Sequence, residues 1–133
     1  MLKKQPVVEG DLDLSKDDVI WDINTEIIKG NCTLTNIPKG VYPFPKLKKI
    51  FGNLDLRNSG VLFLPKLKEV GGDVLIDQDT QLLDFGSLQK IGGNVFIKDN
   101  ERLEKLFNKK FKKAGHKYIR SDIQEESVKL QNL

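Results

Sequence analysis

One pentapeptide of the chain reads Gly72-Asp73-Val74-Leu75-Ile76, and its pattern of a glycine, a small polar residue and alternating apolar residues occurs five times. The other copies are Gly10-Asp11-Leu12-Asp13-Leu14, Gly30-Asn31-Cys32-Thr33-Leu34, Gly52-Asn53-Leu54-Asp55-Leu56 and Gly93-Asn94-Val95-Phe96-Ile97. The five glycines are spaced by 20, 22, 20 and 21 residues. A fixed period of this length is typical of repeat architectures, in which each repeat buries its apolar side against its neighbours.

A second motif lies between the copies of the first. It reads Phe44-Pro45-Lys46-Leu47-Lys48-Lys49-Ile50, Leu64-Pro65-Lys66-Leu67-Lys68-Glu69-Val70 and Phe85-Gly86-Ser87-Leu88-Gln89-Lys90-Ile91. Apolar residues three apart favour a tight 3₁₀-like or extended return path. Since a repeat of about 21 residues has no room for a strand, a full helix and two turns, we predict a mainly β protein. We expect it to be a parallel β-solenoid of about five coils, each with one short strand and a compact return path.

Stacked coils bury the same position of every repeat in one interior column. The strand columns are Leu12, Cys32, Leu54, Val74 and Val95, and Leu14, Leu34, Leu56, Ile76 and Ile97. The return path adds Leu47, Leu67 and Leu88, and Ile50, Val70 and Ile91. We expect each repeated glycine to permit a positive φ or a close backbone approach where the return path turns into the strand.

Two longer stretches of the chain fit the pattern L-x-x-I-x-G-x-L-x-I. They are Leu47-Lys48-Lys49-Ile50-Phe51-Gly52-Asn53-Leu54-Asp55-Leu56 and Leu88-Gln89-Lys90-Ile91-Gly92-Gly93-Asn94-Val95-Phe96-Ile97. Over about residues 9–107 the chain resembles leucine-rich-repeat-like solenoids and, more closely, the receptor L domain, in the short form found in bacterial and phage proteins. The resemblance implies a right-handed parallel β-helix with a binding role and no shared catalytic residues. We expect no regular asparagine ladder of the leucine-rich-repeat kind.

The two ends are predicted to close the solenoid, because an open parallel ladder leaves unpaired edges. We assign residues 1–8 to an N-terminal cap, 9–100 to the repeat solenoid and 101–133 to a C-terminal helical cap and tail, all in one structural domain. The helix is indicated by the spacing of Leu103, Leu106, Phe107, Phe111 and Ala114. Asn100 is its expected N-cap and Gly115 its expected stop. A second short helix is predicted from Ser121 to about Leu130.

The composition restricts the chemistry that the chain can perform. Of its 133 residues, one is a cysteine and one a histidine, which excludes an internal disulfide and the usual zinc quartets. We therefore expect no cofactor, no metal and no enzyme activity; Cys32 is expected to be a buried, inert thiol and His116 an exposed side chain. No apolar run approaches the about 18 residues of a membrane span, and the N-terminus lacks a secretory apolar region. A cytoplasmic protein with no membrane partner is the expectation.

Strand residues between the interior columns must point outward. The middle outward column reads Asp13, Thr33, Asp55, Leu75 and Phe96. Leu75 and Phe96 are adjacent in this column, and two large apolar side chains side by side on a sheet face are a candidate protein-binding patch. The alternative is that the segment around Tyr118 and Ile119 folds over them as part of the cap.

The next outward column carries alternating charges. It reads Ser15, Thr35, Arg57, Asp77 and Lys98, which predicts a cross-strand ion ladder of mainly structural importance. The ladder borders the apolar pair, so the candidate protein-binding residues are Leu75, Phe96, Asp55, Arg57, Asp77 and Lys98.

The return path stacks lysine on lysine in two places. Lys46 is expected to lie above Lys66, and Lys48 above Lys68. Like charges at one-coil separation are mildly unfavourable, so either the lysines splay into water or an anionic surface lies against them.

Charge is segregated along the chain despite a net charge of only +3. Residues 5–28 hold seven acids and one base, whereas residues 105–120 hold seven bases and no acid. Contact with an anion or an acidic partner is assigned to Lys105, Lys109, Lys110, Lys112, Lys113 and Lys117. A water-exposed charged cap, an acidic protein groove and nucleic-acid phosphates all fit such an end.

The function best indicated is binding to another protein through a preformed surface, as a small inhibitor or adaptor. Among the roles implied by the likeness to phage solenoids is inhibition of a host defence enzyme. Two alternatives stay open: a nucleic-acid-binding protein that uses the basic C-terminal end, and a structural module of a larger assembly. We expect a monomer or a weak homo-oligomer.

Overall fold

A computed structural model of the chain describes residues 7–15, 24–40, 44–83, 85–111 and 118–120. These residues form two parallel β-sheets, coiled into a solenoid of about four turns, and one short helix at the C-terminal end. The prediction of a mainly β, parallel solenoid with a helical C-terminal end is therefore confirmed.

Five coils, which enclose about four full turns, each contribute one short strand to each sheet. Sheet A consists, in spatial order, of β1 (Val7–Val8), β3 (Ile27–Ile28), β5 (Lys49–Ile50), β7 (Glu69–Val70) and β9 (Lys90–Ile91). Sheet B consists of β2 (Leu12–Asp13), β4 (Cys32–Thr33), β6 (Leu54–Asp55), β8 (Val74–Ile76), β10 (Val95–Ile97) and β11 (Tyr118–Arg120). Sheet B is formed by the predicted strands together with β11, whereas sheet A lies on the predicted return path.

Two details of the organisation differ from the sequence prediction. The return path carries a second strand in every coil, because its last two residues pair with the same positions of the next coil, as in Ile50 with Val70. Val7 and Val8, which we had placed in the N-terminal cap, pair with Ile27 and Ile28 as the first strand of sheet A. The ladder thus begins inside the segment expected to cap it.

The interior of the solenoid is filled by the predicted columns. The strand residues from Cys32 to Val95 in one column and from Leu14 to Ile97 in the next are buried, and only Leu12, in the first coil, is half-buried. The return path adds the predicted leucine and β-branched columns, and Phe44 and Phe85 are also fully buried. Burial of these side chains between coils is the main favourable term in the stability of the fold.

Close approach of the coils requires glycine at four of the five repeated positions, all but Gly10 of the first coil. A Cβ atom at Gly72 would collide with the Oδ1 atom of Asn53 and with the backbone of Gly52 in the preceding coil. Of the glycines with a positive φ, Gly40 and Gly86, neither belongs to the five-residue motif. Of the two reasons expected for the glycines, close approach is therefore the one observed.

The small polar residue after each glycine forms a regular ladder of mixed aspartate and asparagine, which the sequence analysis did not predict. The Oδ1 atom of Asp11 accepts the backbone N–H of Asn31, and that of Asn31 accepts the N–H of Asn53. The series continues from Asn53 to Asp73 and from Asp73 to Asn94, every step at 2.8 Å. Aspartate and asparagine alternate freely because each position needs only an acceptor oxygen.

Residues with a left-handed backbone conformation turn the chain away from sheet B. Asn36, Asn58 and Asp99 have φ angles of 59°, 51° and 53° and lie at equivalent positions after their strands. Asparagine and aspartate tolerate this region better than other residues with a Cβ atom. The fourth coil turns differently: the buried Thr80 hydroxyl donates to Leu56 O at 2.5 Å and accepts the N–H of Asp77 at 3.0 Å.

A single helix, α1 (Glu101–Phe111), covers the C-terminal end of the described solenoid. Asn100 is its N-cap, as predicted: its Oδ1 atom accepts the N–H of Leu103 at 3.1 Å, while its Nδ2 group donates to Asp77 O at 2.9 Å. Leu103 and Phe107 are fully buried, and the Phe107 ring lies 4.2 Å from that of Phe85, centroid to centroid. The helix is therefore held on the coils by apolar packing and by the Asn100 side chain, which accepts a hydrogen bond from the helix and donates one to the fourth coil.

Some predictions concern residues that the structure does not describe. These are the part of the N-terminal cap at residues 1–6, the end of the helix at Gly115, the exposure of His116 and the second helix from Ser121 to about Leu130.

Candidate binding face

The outward face of sheet B carries the residues that the sequence singled out. Its strands pair in register, so that Asp13, Thr33, Asp55, Leu75 and Phe96 form one continuous column. Residues directly opposite each other in neighbouring strands have Cβ atoms about 5 Å apart, close enough for large side chains to pack together. The column therefore changes from polar to apolar between the third and fourth coils.

Leu75 and Phe96 form the apolar part of this column. They are directly paired between β8 and β10. Both are half-buried, and the residues before and after each of them in its own strand are buried. The pairing predicted from the sequence is confirmed.

The C-terminal segment lies beside the apolar pair as a strand of the same sheet, which differs from the expectation that it folds over the pair. Strand β11 pairs in parallel with β10, and Ile119 takes the register position beside Phe96. The segment therefore extends sheet B by one strand at its edge, and its backbone continues the ladder beyond the apolar pair.

The charged residues beside the apolar pair are arranged differently from the predicted ladder. Arg57 forms a two-pronged ion pair with Asp55 of its own coil, with Nε–Oδ1 and Nη2–Oδ2 distances of 2.9 and 2.7 Å. The Oδ1 atom of Asp77 accepts the backbone N–H groups of Asn58 and Asp79, each at 2.9 Å. Asp77 is thus a turn-closing residue that ties two coils together. Lys98 follows β10 and is half-buried.

Three exposed apolar side chains were missed by the sequence analysis. In the part of the chain that the structure describes, Phe51, Phe63 and Leu83 are exposed by 47%, 41% and 52%. The exposure of the Phe51 ring is partly explained by a cation–π contact, because the Nζ atom of Lys49 lies 4.3 Å from the centroid of the ring. These residues lie outside sheet B, at positions where the repeat has no apolar alternation to reveal them.

The basic end is described only in part. Lys105 and Lys109 are exposed on α1, whose first turn also carries Glu101 and Glu104. Lys110 lies in α1, and its side chain is outside the described set. Lys112, Lys113 and Lys117 lie outside the described residues altogether.

Cys32 is fully buried, as predicted for an interior column. Burial raises the pKa of its thiol well above the ordinary value, and the nearby Asp13 and Asp55 carboxylates raise it further. A protonated, inaccessible thiol is a poor nucleophile and a poor metal ligand.

Neither a metal site nor a known relative adds to the description of this face. Among the described residues no three or more His, Cys, Asp or Glu side chains are grouped so as to hold a metal ion. No helix among these residues has the length and apolar character needed to cross a lipid bilayer. No family model, no curated protein and no solved structure matches the chain.

Proposed function

We propose that the protein binds another protein through the face of sheet B, with Leu75 and Phe96 at the centre of the contact. The observation that carries the proposal is their direct pairing on neighbouring strands, where the earlier coils place Asp13, Thr33 and Asp55. Adjacent large apolar side chains next to polar residues are typical of the apolar core and polar rim of a protein interface.

The surroundings of the pair indicate what kind of partner fits. The Asp55–Arg57 ion pair lies on the polar side of the column, and Lys98 follows the strand that carries Phe96. Both signs of charge therefore border the apolar centre. The partner is a folded protein that packs an apolar side chain over Leu75 and Phe96 and meets this border with polar groups of mixed charge.

The scaffold supports such a contact energetically. The face is held by backbone hydrogen bonds between coils, such as Leu56 N to Leu75 O and Lys98 N to Ile76 O, at 2.8 and 3.0 Å, and by the Asp/Asn ladder. A preformed face loses little conformational entropy on binding. The biological role that we propose is that of a small inhibitor or adaptor.

The proposal is tested with a double variant and a matched control. Leu75→Ser with Phe96→Ser removes the apolar centre, whereas Leu83→Ser with Phe51→Ser makes the same two chemical changes at exposed sites elsewhere. Proteins retained from an extract of the native host by the wild type and the control, but not by the Leu75/Phe96 variant, are purified. Their affinity is then measured by calorimetry, and thermal unfolding confirms that each variant is folded.

We expect binding to the Leu75/Phe96 variant to be weaker by about tenfold or more, since loss of two central contacts costs more than about 1.4 kcal/mol. Binding to the control variant is expected to equal that of the wild type. Equal binding by all three proteins contradicts the proposal. Saturable binding of DNA or RNA that is lost with Lys105→Gln and Lys109→Gln would instead favour the basic end as the functional site.

A further inference from the structure

The return path carries a basic groove that the proposed protein-binding face does not use. The groove has a volume of about 450 Å³ and is lined by Glu26, Lys46, Lys48, Lys66, Lys68 and Ser87. Its volume lies within the range of small-molecule sites.

The four lysines of the groove form two rows across two coils. The backbone N–H of Lys68 donates to Lys48 O at 2.8 Å, which fixes one row. Lys46 and Lys66 form the other row, since each lies four residues before the paired residues Ile50 and Val70. Neighbouring coils in a parallel sheet are about 4.8 Å apart, so the backbones that carry these ammonium groups are closely spaced.

Positive charge in the groove is incompletely balanced. Glu26 pairs with Lys48 at 3.1 Å. Among the described residues no carboxylate lies within ion-pair distance of Lys46, Lys66 or Lys68. The lining thus carries four positive charges and one negative, an excess of three.

Two lysines in or beside sheet A are paired with an acid of a neighbouring coil. Lys49 pairs with Glu69 at 3.5 Å, and Lys29 with Glu9 at 3.4 Å. The chain therefore pairs lysines with acids of neighbouring coils beside the groove and at Lys48 within it, whereas Lys46, Lys66 and Lys68 have no such pair among the described residues. Repulsion between the stacked lysines is relieved when an anion lies between them.

We propose that this groove binds a small anion with two or more linked phosphate groups. One phosphate monoester carries a charge of about −2 at pH 7, which is less than the excess of three, whereas a diphosphate supplies a closer match. Lysine binds phosphate as a mobile point charge, which suits two rows of flexible ammonium groups around linked phosphates.

The first test measures binding of inorganic pyrophosphate by isothermal titration calorimetry at roughly physiological ionic strength. Lys66→Gln with Lys68→Gln removes two charges from the groove, and Lys39→Gln with Lys90→Gln removes two exposed charges outside the groove as a matched control. We expect saturable 1:1 binding by the wild type and the control, and about tenfold weaker binding by the groove variant. Orthophosphate is expected to bind more weakly than pyrophosphate.

A second pair of variants tests the balance of charge. Glu26→Gln removes the acid of the groove and is expected to tighten pyrophosphate binding by about threefold, since Lys48 is released. Glu9→Gln makes the same change at a lysine pair outside the groove and is expected to leave affinity unchanged. The proposal is overturned if pyrophosphate shows no saturable binding, if both lysine variants lose affinity equally, or if only a single-stranded oligonucleotide binds.

Discussion

The Oδ1 atom of Asn53 occupies the space that a Cβ atom would need at Gly72, the glycine of the next coil. The same oxygen accepts the backbone N–H of Asp73, the residue after that glycine, at 2.8 Å. The glycine and the small polar residue of the repeat therefore act together, since one makes room for the oxygen of the preceding coil and the other presents the N–H that it binds. This relationship accompanies the register that places Leu75 beside Asp55, and the same relationship of Asp73 with Gly93 and Asn94 accompanies the register that places Phe96 beside Leu75.

The acceptor oxygen of Asn53 is the first feature to test. We expect Asn53→Ala to lower the free energy of unfolding by about 1 kcal/mol, the usual net value of one hydrogen bond. Asn53→Asp keeps the oxygen and is expected to be close to wild type, because Asp11 and Asp73 serve the same role in other coils. Urea unfolding of both variants makes the comparison, and an equal loss in both contradicts an acceptor role.

Asn100 has two roles that substitution can separate. Asn100→Ala removes the N-cap of α1 and the donor to Asp77 O, and we expect a loss of about 1–2 kcal/mol. Asn100→Asp keeps the capping oxygen but not the donor, so its loss is expected to be smaller but still measurable. Urea unfolding followed by circular dichroism gives both values. If Asn100→Asp is as stable as the wild type, the contact with Asp77 does not hold the helix on the coils.

Cys32 makes stability depend on pH in the alkaline range. Because burial raises the pKa of the thiol in the folded protein, the unfolded chain releases this proton first as the pH rises through the ordinary value of 9.0. The contribution is fully present below that pH and falls above it, by about 1 kcal/mol between pH 9 and pH 10.

The matched variant for this effect is Cys32→Val, since valine occupies the same interior column as Val74 and Val95. The difference in unfolding free energy between wild type and variant is measured at several pH values, which cancels the titration of the lysines. A difference that stays constant from pH 8 to pH 10 would show that the thiol ionises equally in both states. Native Cys32 is also expected to resist alkylation until the protein unfolds.

The strand columns of sheet B could be predicted because alternation has only two outcomes. Once the repeat is aligned, residues such as Leu54 and Leu56 must face one side and Asp55 the other. The same logic predicted the pairing of Leu75 with Phe96. The N-cap at Asn100 was readable because the period of the apolar residues changes at that point.

Other features have no comparable signal in the sequence. Strands of sheet A such as Lys49–Ile50 end the return path, where apolar residues such as Leu47 and Ile50 recur every third position and do not show the alternation of a strand. The Asp/Asn ladder was missed because its members differ in charge and share only one oxygen. The cross-strand ion ladder was predicted on the assumption that Arg57 pairs with a residue of a neighbouring coil. Arg57 instead pairs with Asp55 of its own coil, because residues two apart lie on the same face of a strand.

Gly72→Ala gives the most direct test of the stacked-coil arrangement, with Gly10→Ala as its control. A Cβ atom at Gly72 meets the preceding coil, whereas one at Gly10, in the first coil, meets no atom within 4 Å among the described residues. We expect Gly72→Ala to lower the free energy of unfolding by about 1–3 kcal/mol. Gly10→Ala is expected to leave stability unchanged or raise it slightly, because alanine restricts the unfolded chain. Equal stability of the two variants in urea unfolding would contradict the stacking of one coil upon the next.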